Sequence, residues 1–133
     1  MKFGIFAFVF LSFLFSQAAL AETYSRTVKP GRTSAVGGYS VVHSDTCLNG
    51  PLPRYRIKTA PEHGKVEFRK ETWKFRNKSS RCDGKPVKGL VIYYTPNKGF
   101  RGKDSFKVEN SRLRYSNGTL RVSTTSVYDI TVK

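Results

Sequence analysis

From residue 22 onward the chain is patterned by alternation. Apolar residues recur mostly at every second position, and Gly, Pro, Asn and Asp interrupt them too often for a long amphipathic helix. The pattern predicts a strand over residues 24–29, stopped by Pro30-Gly31, and another over 39–44, following Gly37-Gly38. Residues 54–59 set Arg54, Arg56 and Lys58 against Tyr55 and Ile57, which puts three cations on one face of a strand and the apolar pair on the other. Residues 65–75 carry Val66 and Phe68 in one phase and Trp73 and Phe75 in the other, so a bulge or a change of sheet is expected near 69–72. The same periodicity points Trp73 and Phe75 inward and leaves Lys74 and Arg76 in solvent. Residues 77–89 are polar, glycine-bearing and cationic, and read as an exposed loop. Further strands are predicted over 90–95, bounded by Pro96, over 104–108, and over 119–133 in one or two pieces. Asn117-Gly118 predicts a hairpin across 112–118.

About seven strands in one short chain point to an all-β, two-sheet antiparallel sandwich, with a small closed barrel as the alternative. Residues 1–21 stand apart from this pattern. Lys2 precedes an apolar run over 3–15, and small residues follow at Ala19 and Ala21, which reads as a secretion signal cleaved after Ala21. That leaves residues 22–133 as a single domain, periplasmic or secreted, with no transmembrane segment once the signal is removed. In an oxidising compartment the two cysteines, Cys47 and Cys82, are expected to pair. They lack the close Cys and His spacings of a zinc site, and no metal is assigned.

Charge changes the functional picture. The chain has 24 Lys and Arg against 9 Asp and Glu, a formal charge of +15, or +14 once Lys2 leaves with the signal. A net charge of about 2 to 8 suffices to keep a small domain soluble, so the excess suggests an anionic partner. Outside the cytoplasm the candidates are a phosphorylated glycolipid, a wall polymer, an acidic polysaccharide, nucleic acid or an acidic protein. Arg69, Lys70, Lys74, Arg76, Lys78 and Arg81, interleaved with Trp73, form the best binding segment, since cations and an aromatic face together hold phosphate or carboxylate beside a ring. Arg54, Arg56 and Lys58 extend it if their strand lies alongside.

Catalytic chemistry is sparse by comparison. His43 and His63 are the only imidazoles, and His43-Ser44-Asp45 places its groups on alternating faces of a strand. There is no nucleophile elbow, phosphate-binding glycine loop or metal-binding His pair. Glu67 and Glu71 flank Arg69 and Lys70 and read as surface ion pairs. A non-catalytic protein without a cofactor is expected.

Two blocks carry a resemblance. Pro61-Glu62-His63-Gly64-Lys65-Val66 and the stretch from Tyr94-Thr95-Pro96 through Gly99-Phe100-Arg101-Gly102 to Asp104-Ser105-Phe106 resemble bacterial immunoglobulin-like domains of the cadherin-like repeat type. The resemblance implies an immunoglobulin-like sandwich used for binding or scaffolding, an activity-neutral fold in itself. It does not carry calcium over, because Asp45, Asp83, Asp104 and Asp129 are scattered. Read physically, Pro96 ends a strand, Gly99 and Gly102 let a tight turn fold around Phe100, Asp104 accepts backbone N–H groups at the turn exit, and Phe106 enters the core.

Overall fold

The structure, a computed structural model, describes residues 21–114 and 118–133. The signal up to Leu20 and Asn117 of the predicted hairpin lie outside the described residues. Seven strands form: β1 Glu22–Val28, β2 Ser34–Ser40, β3 Arg54–Thr59, β4 Gly64–Lys74, β5 Pro86–Pro96, β6 Gly102–Leu113 and β7 Arg121–Val132. They make a four-stranded sheet in the order β1-β7-β6-β3 and a three-stranded sheet in the order β2-β5-β4. Strand β1 runs parallel to β7, and the other pairings are antiparallel. The product is an immunoglobulin-like all-β sandwich with one disulfide, not the closed barrel. Among the described residues there is no helix, and so none long and apolar enough to cross a membrane.

The core forms where apolar alternation is strongest. Val28, Val36, Val66, Ile92, Tyr94, Phe106, Val108, Tyr128, Ile130 and Val132 are buried together. Phe106 stacks on Tyr128 at 4.9 Å within one sheet and faces Tyr94 of the other at 6.1 Å. Burying side chains of this size stabilises by roughly 1.5–3 kcal/mol each. One carboxylate is buried with them. Asp104 on β6 accepts the backbone N–H of Glu62 and of His63 at 3.0 Å each, the hydroxyl of Tyr94 at 2.7 Å and the N–H of Ser105 at 2.9 Å. It thereby ties the β3–β4 turn and the three-stranded sheet to β6. The turn before it is built as the glycines require: Gly99 and Gly102 both have positive φ, and Phe100 stacks on His63 at 4.3 Å.

Several expectations are corrected. Strand β2 is Ser34–Ser40, so Gly37-Gly38 lies inside a strand and does not precede one. A Cβ at Gly37 would come within 2.6 Å of the Tyr128 hydroxyl, and one at Gly38 within 2.9 Å of the Leu90 carbonyl. Space, and not turn geometry, selects these glycines. Strand β4 has no bulge or sheet change: its register with β5 runs unshifted from Gly64↔Pro96 to Lys74↔Pro86. The apparent change of phase arises because Val66 and Phe68 face the other sheet, whereas the strand then outruns the core and leaves Lys70 and Thr72 exposed on that same side. Trp73 consequently sits on the opposite face and is 37% exposed, against the inward packing expected of it. Its indole covers Gly89, where a Cβ would lie 2.1 Å from the ring. Bulges occur instead in β2 and in β3, where the register shifts between Ile57 and Thr59 and Ile57 is left 37% exposed. Strands β5 and β6 are longer than predicted, and β7 is one piece.

Removing the Asp104 carboxylate strands the Tyr94 hydroxyl and two turn N–H groups inside the protein. Asp104→Ala is expected to cost about 3 kcal/mol or more, and Asp104→Asn less. Urea unfolding checks this: the midpoint falls with an unchanged slope, whereas a loss below about 1 kcal/mol for the alanine variant contradicts the bridging role.

Candidate functional site

Strand direction decides which loops meet. Because β3–β6, β4–β5 and β6–β7 are antiparallel, the start of β3, the end of β4, the start of β5, the end of β6 and the start of β7 share one end of the sandwich. The two sheets are joined at the β3–β4 side by Tyr55 against Phe68 at 5.4 Å, and at the loop end by Arg112 of β6, which donates to the Tyr39 hydroxyl of β2 at 3.5 Å. Tyr39 pairs with Leu90, and Leu90 with Lys70, which sets the level at which the apolar core gives way to polar side chains.

The loops at this end are braced by bonds in place of a core. Cys47 and Cys82 form a disulfide with Cα atoms 5.3 Å apart, linking the β2–β3 and β4–β5 loops across 35 residues. Closing such a loop constrains the unfolded chain by about 4 kcal/mol in the entropy account. Cys47 takes a left-handed φ of 59°, and its N–H donates to the His43 carbonyl at 2.7 Å. Asn49 accepts from the Lys88 N–H at 2.8 Å, which pins the first loop to β5. In the second loop the Phe75 N–H donates to the Lys85 carbonyl, and the Gly84 N–H returns a bond to Phe75, both at 2.8 Å. Asp83 accepts from the Asn77 N–H at the same distance.

The predicted cations divide into two groups on this frame. Arg54, Lys70, Lys74, Arg76, Lys78 and Arg81 belong to the braced end, and among the described residues none of them has an ion-pair partner. Lys70 and Lys74 project from one face of β4, and Lys88, opposite Thr72 on β5, projects between them. Trp73 lies on the other face of the same ribbon. Arg56 and Lys58 do not join this group: both are paired with Glu109, at 2.9 and 3.4 Å. Arg69 is held by Glu67 at 2.9 Å and lies over the Tyr93 ring at 4.4 Å. Lys65 and Arg69 together hold the Glu67 carboxyl below the usual carboxylate range. The expected surface ion pair is thus Glu67 with Arg69, while Glu71 accepts the Tyr93 hydroxyl at 2.7 Å. Sequence reasoning passed over Lys85, Lys88 and Arg112; the strand register assigns Lys88 and Arg112 to this end, and the loop bond from the Phe75 N–H assigns Lys85.

A second concavity, of about 710 Å³, lies on the outer face of the four-stranded sheet beside the β3–β4 turn. It mixes Lys103 and Lys107 with Glu62 and Asp129. Ser105 there donates directly to Asp129 at 3.0 Å, without an imidazole between them. Among the described residues no group of three or more His, Cys, Asp or Glu is placed to hold a metal ion.

No protein-family model matches the chain, and no curated protein does. Among solved structures it is similar to one described as the solution structure of Amebosin, with a TM-score of 0.41 and 9% identity, over 82% of this chain and 88% of that one. Similarity at that level carries no functional argument.

The tyrosines inside the sandwich give the frame a pH signature. Burial raises the phenols of Tyr55, Tyr94 and Tyr128 above their ordinary value of 10.0, the last to about 12; for Tyr94 the bond to Asp104 adds to the effect. A proton held more tightly in the folded state stabilises it up to the unfolded pKa, and that contribution is lost as pH rises further. Stability is therefore expected to decline from pH 10 through about 12, with these phenols ionising together with unfolding. An ultraviolet titration beside circular dichroism checks it; phenolate formation completed near pH 10 with the fold intact is the contrary result.

Proposed function

We propose that the chain is a secreted or periplasmic, non-catalytic binding protein whose braced basic end engages an anionic envelope or extracellular polymer. The observation that carries this reading is the set of cations without an ion-pair partner on the β4–β5 ribbon and its loops, with exposed Trp73 on the opposite face and the loops tied together by a disulfide. Natural surfaces intersperse charges of both signs, and like charges left together repel. Lys70, Lys74 and Lys88 lie on one face of a two-stranded ribbon with no carboxylate among them. Phosphate or carboxylate groups of a polymer supply the missing counter-charge: Arg side chains pair with them through two parallel N–H groups and Lys side chains act as point charges. The Trp73 face adds contact with a sugar ring or a base. The phosphorylated glycolipid, wall polymer and acidic polysaccharide are the preferred ligand classes, and nucleic acid shares the same chemistry. The resemblance to bacterial immunoglobulin-like domains agrees with such a role and does not choose the ligand.

A second reading, an acidic protein partner, is favoured by a different observation. Strands β3 and β4 each form one of the two edges of their sheets, bonded on one side only, and both carry cations. An acidic extended segment added to either edge gains main-chain bonds and charge pairing together.

The two readings separate by mutation and salt. The triple variant Lys70→Gln, Lys74→Gln, Arg76→Gln is expected to weaken binding to polygalacturonate or to phosphorylated glycolipid micelles about tenfold or more. Its dependence on salt is expected to be shallower, by about one in the logarithmic slope for each cation that had met an anionic group. The double variant Arg56→Gln, Lys58→Gln is expected to stay within about twofold of the parent, because those cations are already paired and exposed. Affinity unchanged between low and high salt, or equal losses in both variants, overturns the polymer reading. Retention of one acidic protein by the edge strands, with no retention on polymers or DNA, supports the second.

A further inference from the structure

Strand β4 leaves one side of its backbone without a partner, and the hydrogen bonds at its two ends fix which residues lie on that side. The Asn97 N–H donates to the His63 carbonyl just before the strand, and the Phe75 N–H donates to the Lys85 carbonyl just after it, both at 2.8 Å. The register between them is unshifted, so the odd-numbered residues of β4 are the ones that exchange bonds with β5. The N–H and C=O groups of Gly64, Val66, Phe68, Lys70 and Thr72 therefore point away from the sheet, and among the described residues none of them has a main-chain partner. No bulge or proline interrupts this edge, which makes it a template for another strand. Its defence is charge. On the outer face of the sheet Lys65, Glu67, Arg69 and Glu71 follow one another with alternating sign, and Glu67 already meets Lys65 at 3.0 Å and Arg69 at 2.9 Å. Such a row resists chains of uniform charge, yet it is complementary to a copy of itself run the other way.

We propose that β4 is a self-pairing edge: two copies of the chain join antiparallel about a two-fold axis through Phe68, which merges their three-stranded sheets into one. That axis sets Lys65 opposite Glu71 and Glu67 opposite Arg69 of the second copy, twice over, so each charge of the row has only opposite charges directly beside it. Register is selected by the same row. Moving the axis by one residue puts Glu67 against Glu67 or Arg69 against Arg69, and moving it by two leaves half of the row unmatched. The bond pattern agrees with the charges. With the axis at Phe68 the outward-pointing residues face one another and exchange main-chain bonds, while the charged pairs fall at the intervening positions, where opposed Cα atoms come closest, to about 4.5 Å. On the inner side Phe68, packed on Tyr55 at 5.4 Å, meets Phe68 of the second copy, and Ile57, two residues along the same face of β3, is 37% exposed at this margin. The antiparallel arrangement sends the two braced basic ends in opposite directions, which limits repulsion between molecules of such high positive charge. The pairing uses no anionic polymer, so it and the polymer reading stand or fall separately.

The test is sedimentation of the protein from micromolar to submillimolar concentration, together with amide hydrogen exchange. Sedimentation is expected to show a monomer in equilibrium with a dimer. Glu67→Lys and Arg69→Glu each set like charges opposite one another at both symmetric positions, and each is expected to weaken the dimer about tenfold or more. Mixed in equal amounts the two variants are expected to associate again, because each presents the charge that the other lacks. Exchange locates the contact: the amides of Val66, Phe68 and Lys70 are expected to slow as concentration rises, whereas those of Glu67 and Arg69, bonded to β5, are protected throughout. A protein that stays monomeric, single variants that dimerise as the parent does, a mixture that fails to associate, or a dimer in which those three amides exchange as in the monomer overturns the proposal. Should either variant fold poorly, sedimentation and exchange of the parent decide the matter alone.

Discussion

A buried carboxylate fixes where the two sheets meet. Asp104 receives two turn N–H groups, a tyrosine hydroxyl from the opposite sheet and the N–H of its own successor. A charge in that position is tolerated only because its lone pairs are filled, so the turn, β5 and β6 must adopt these positions together or not at all. The aromatic stack of Tyr94, Phe106 and Tyr128 then packs against a boundary already set, and the remaining apolar side chains collect around it. With the sheets anchored at the turn end, the other end is free to diverge from apolar composition without loss of the fold.

The braced end follows from that freedom. It holds few apolar side chains facing the other sheet, and it gathers cations that repel one another. Such an end stays ordered only if something other than burial holds it, and three kinds of bond do so: the Cys47–Cys82 link, the Asn49 bond to the β5 backbone, and the paired strand-like bonds between Phe75 and the segment ending at Lys85. Cys82 and Val87 are fully buried among these loops, a small satellite to the main core. Order without a filled interior lets polar groups such as Asn110 and Arg112 occupy inward positions that a longer core would have claimed.

Much of this was legible in the chain and some was not, for reasons that differ by residue. The bounds of β3 and the positive φ at Gly99 and Gly102 followed from local chemistry, the disulfide from the pair of cysteines, whereas Asp104, expected to accept N–H groups at its own turn exit, accepts those of Glu62 and His63 from another turn. The Gly37-Gly38 pair misled because glycine signals a turn by default, whereas here the Tyr128 ring and the Leu90 carbonyl demand the missing side chains. Those partners are distant in sequence and invisible until the sheets are paired. Trp73 misled because periodicity reports which residues share a face and not whether that face has a partner; β4 extends past the core, so apolar and buried cease to coincide. The polar end of β6 was missed for the same reason. Glu109, Asn110, Ser111 and Arg112 have no apolar alternation, yet β3 and β7 flank them and fix their conformation through the ladder alone.

The cations show most clearly why a charge total underdetermines a surface. Arg56, Lys58 and Arg69 lie on two of the four edge strands, β3 and β4, where unpaired N–H and C=O groups invite another chain to add itself. Charged side chains along an edge resist that addition, and here each is matched by a carboxylate on a neighbouring or the same strand, so they guard the edge without giving it a strong field. Lys70, Lys74 and Lys88 are the same residue types under another constraint: their ribbon has left the core, and the residues directly opposite them, Leu90, Pro86 and Thr72, carry no charge. Proximity to Glu109, set by strand register, and to Glu67, two residues away on the same strand, separates the two populations. The net excess of positive charge therefore resides in side chains without an acid beside them, among them Lys70, Lys74 and Lys88 at the braced end and Lys29, Arg32, Lys98 and Arg101 at the other.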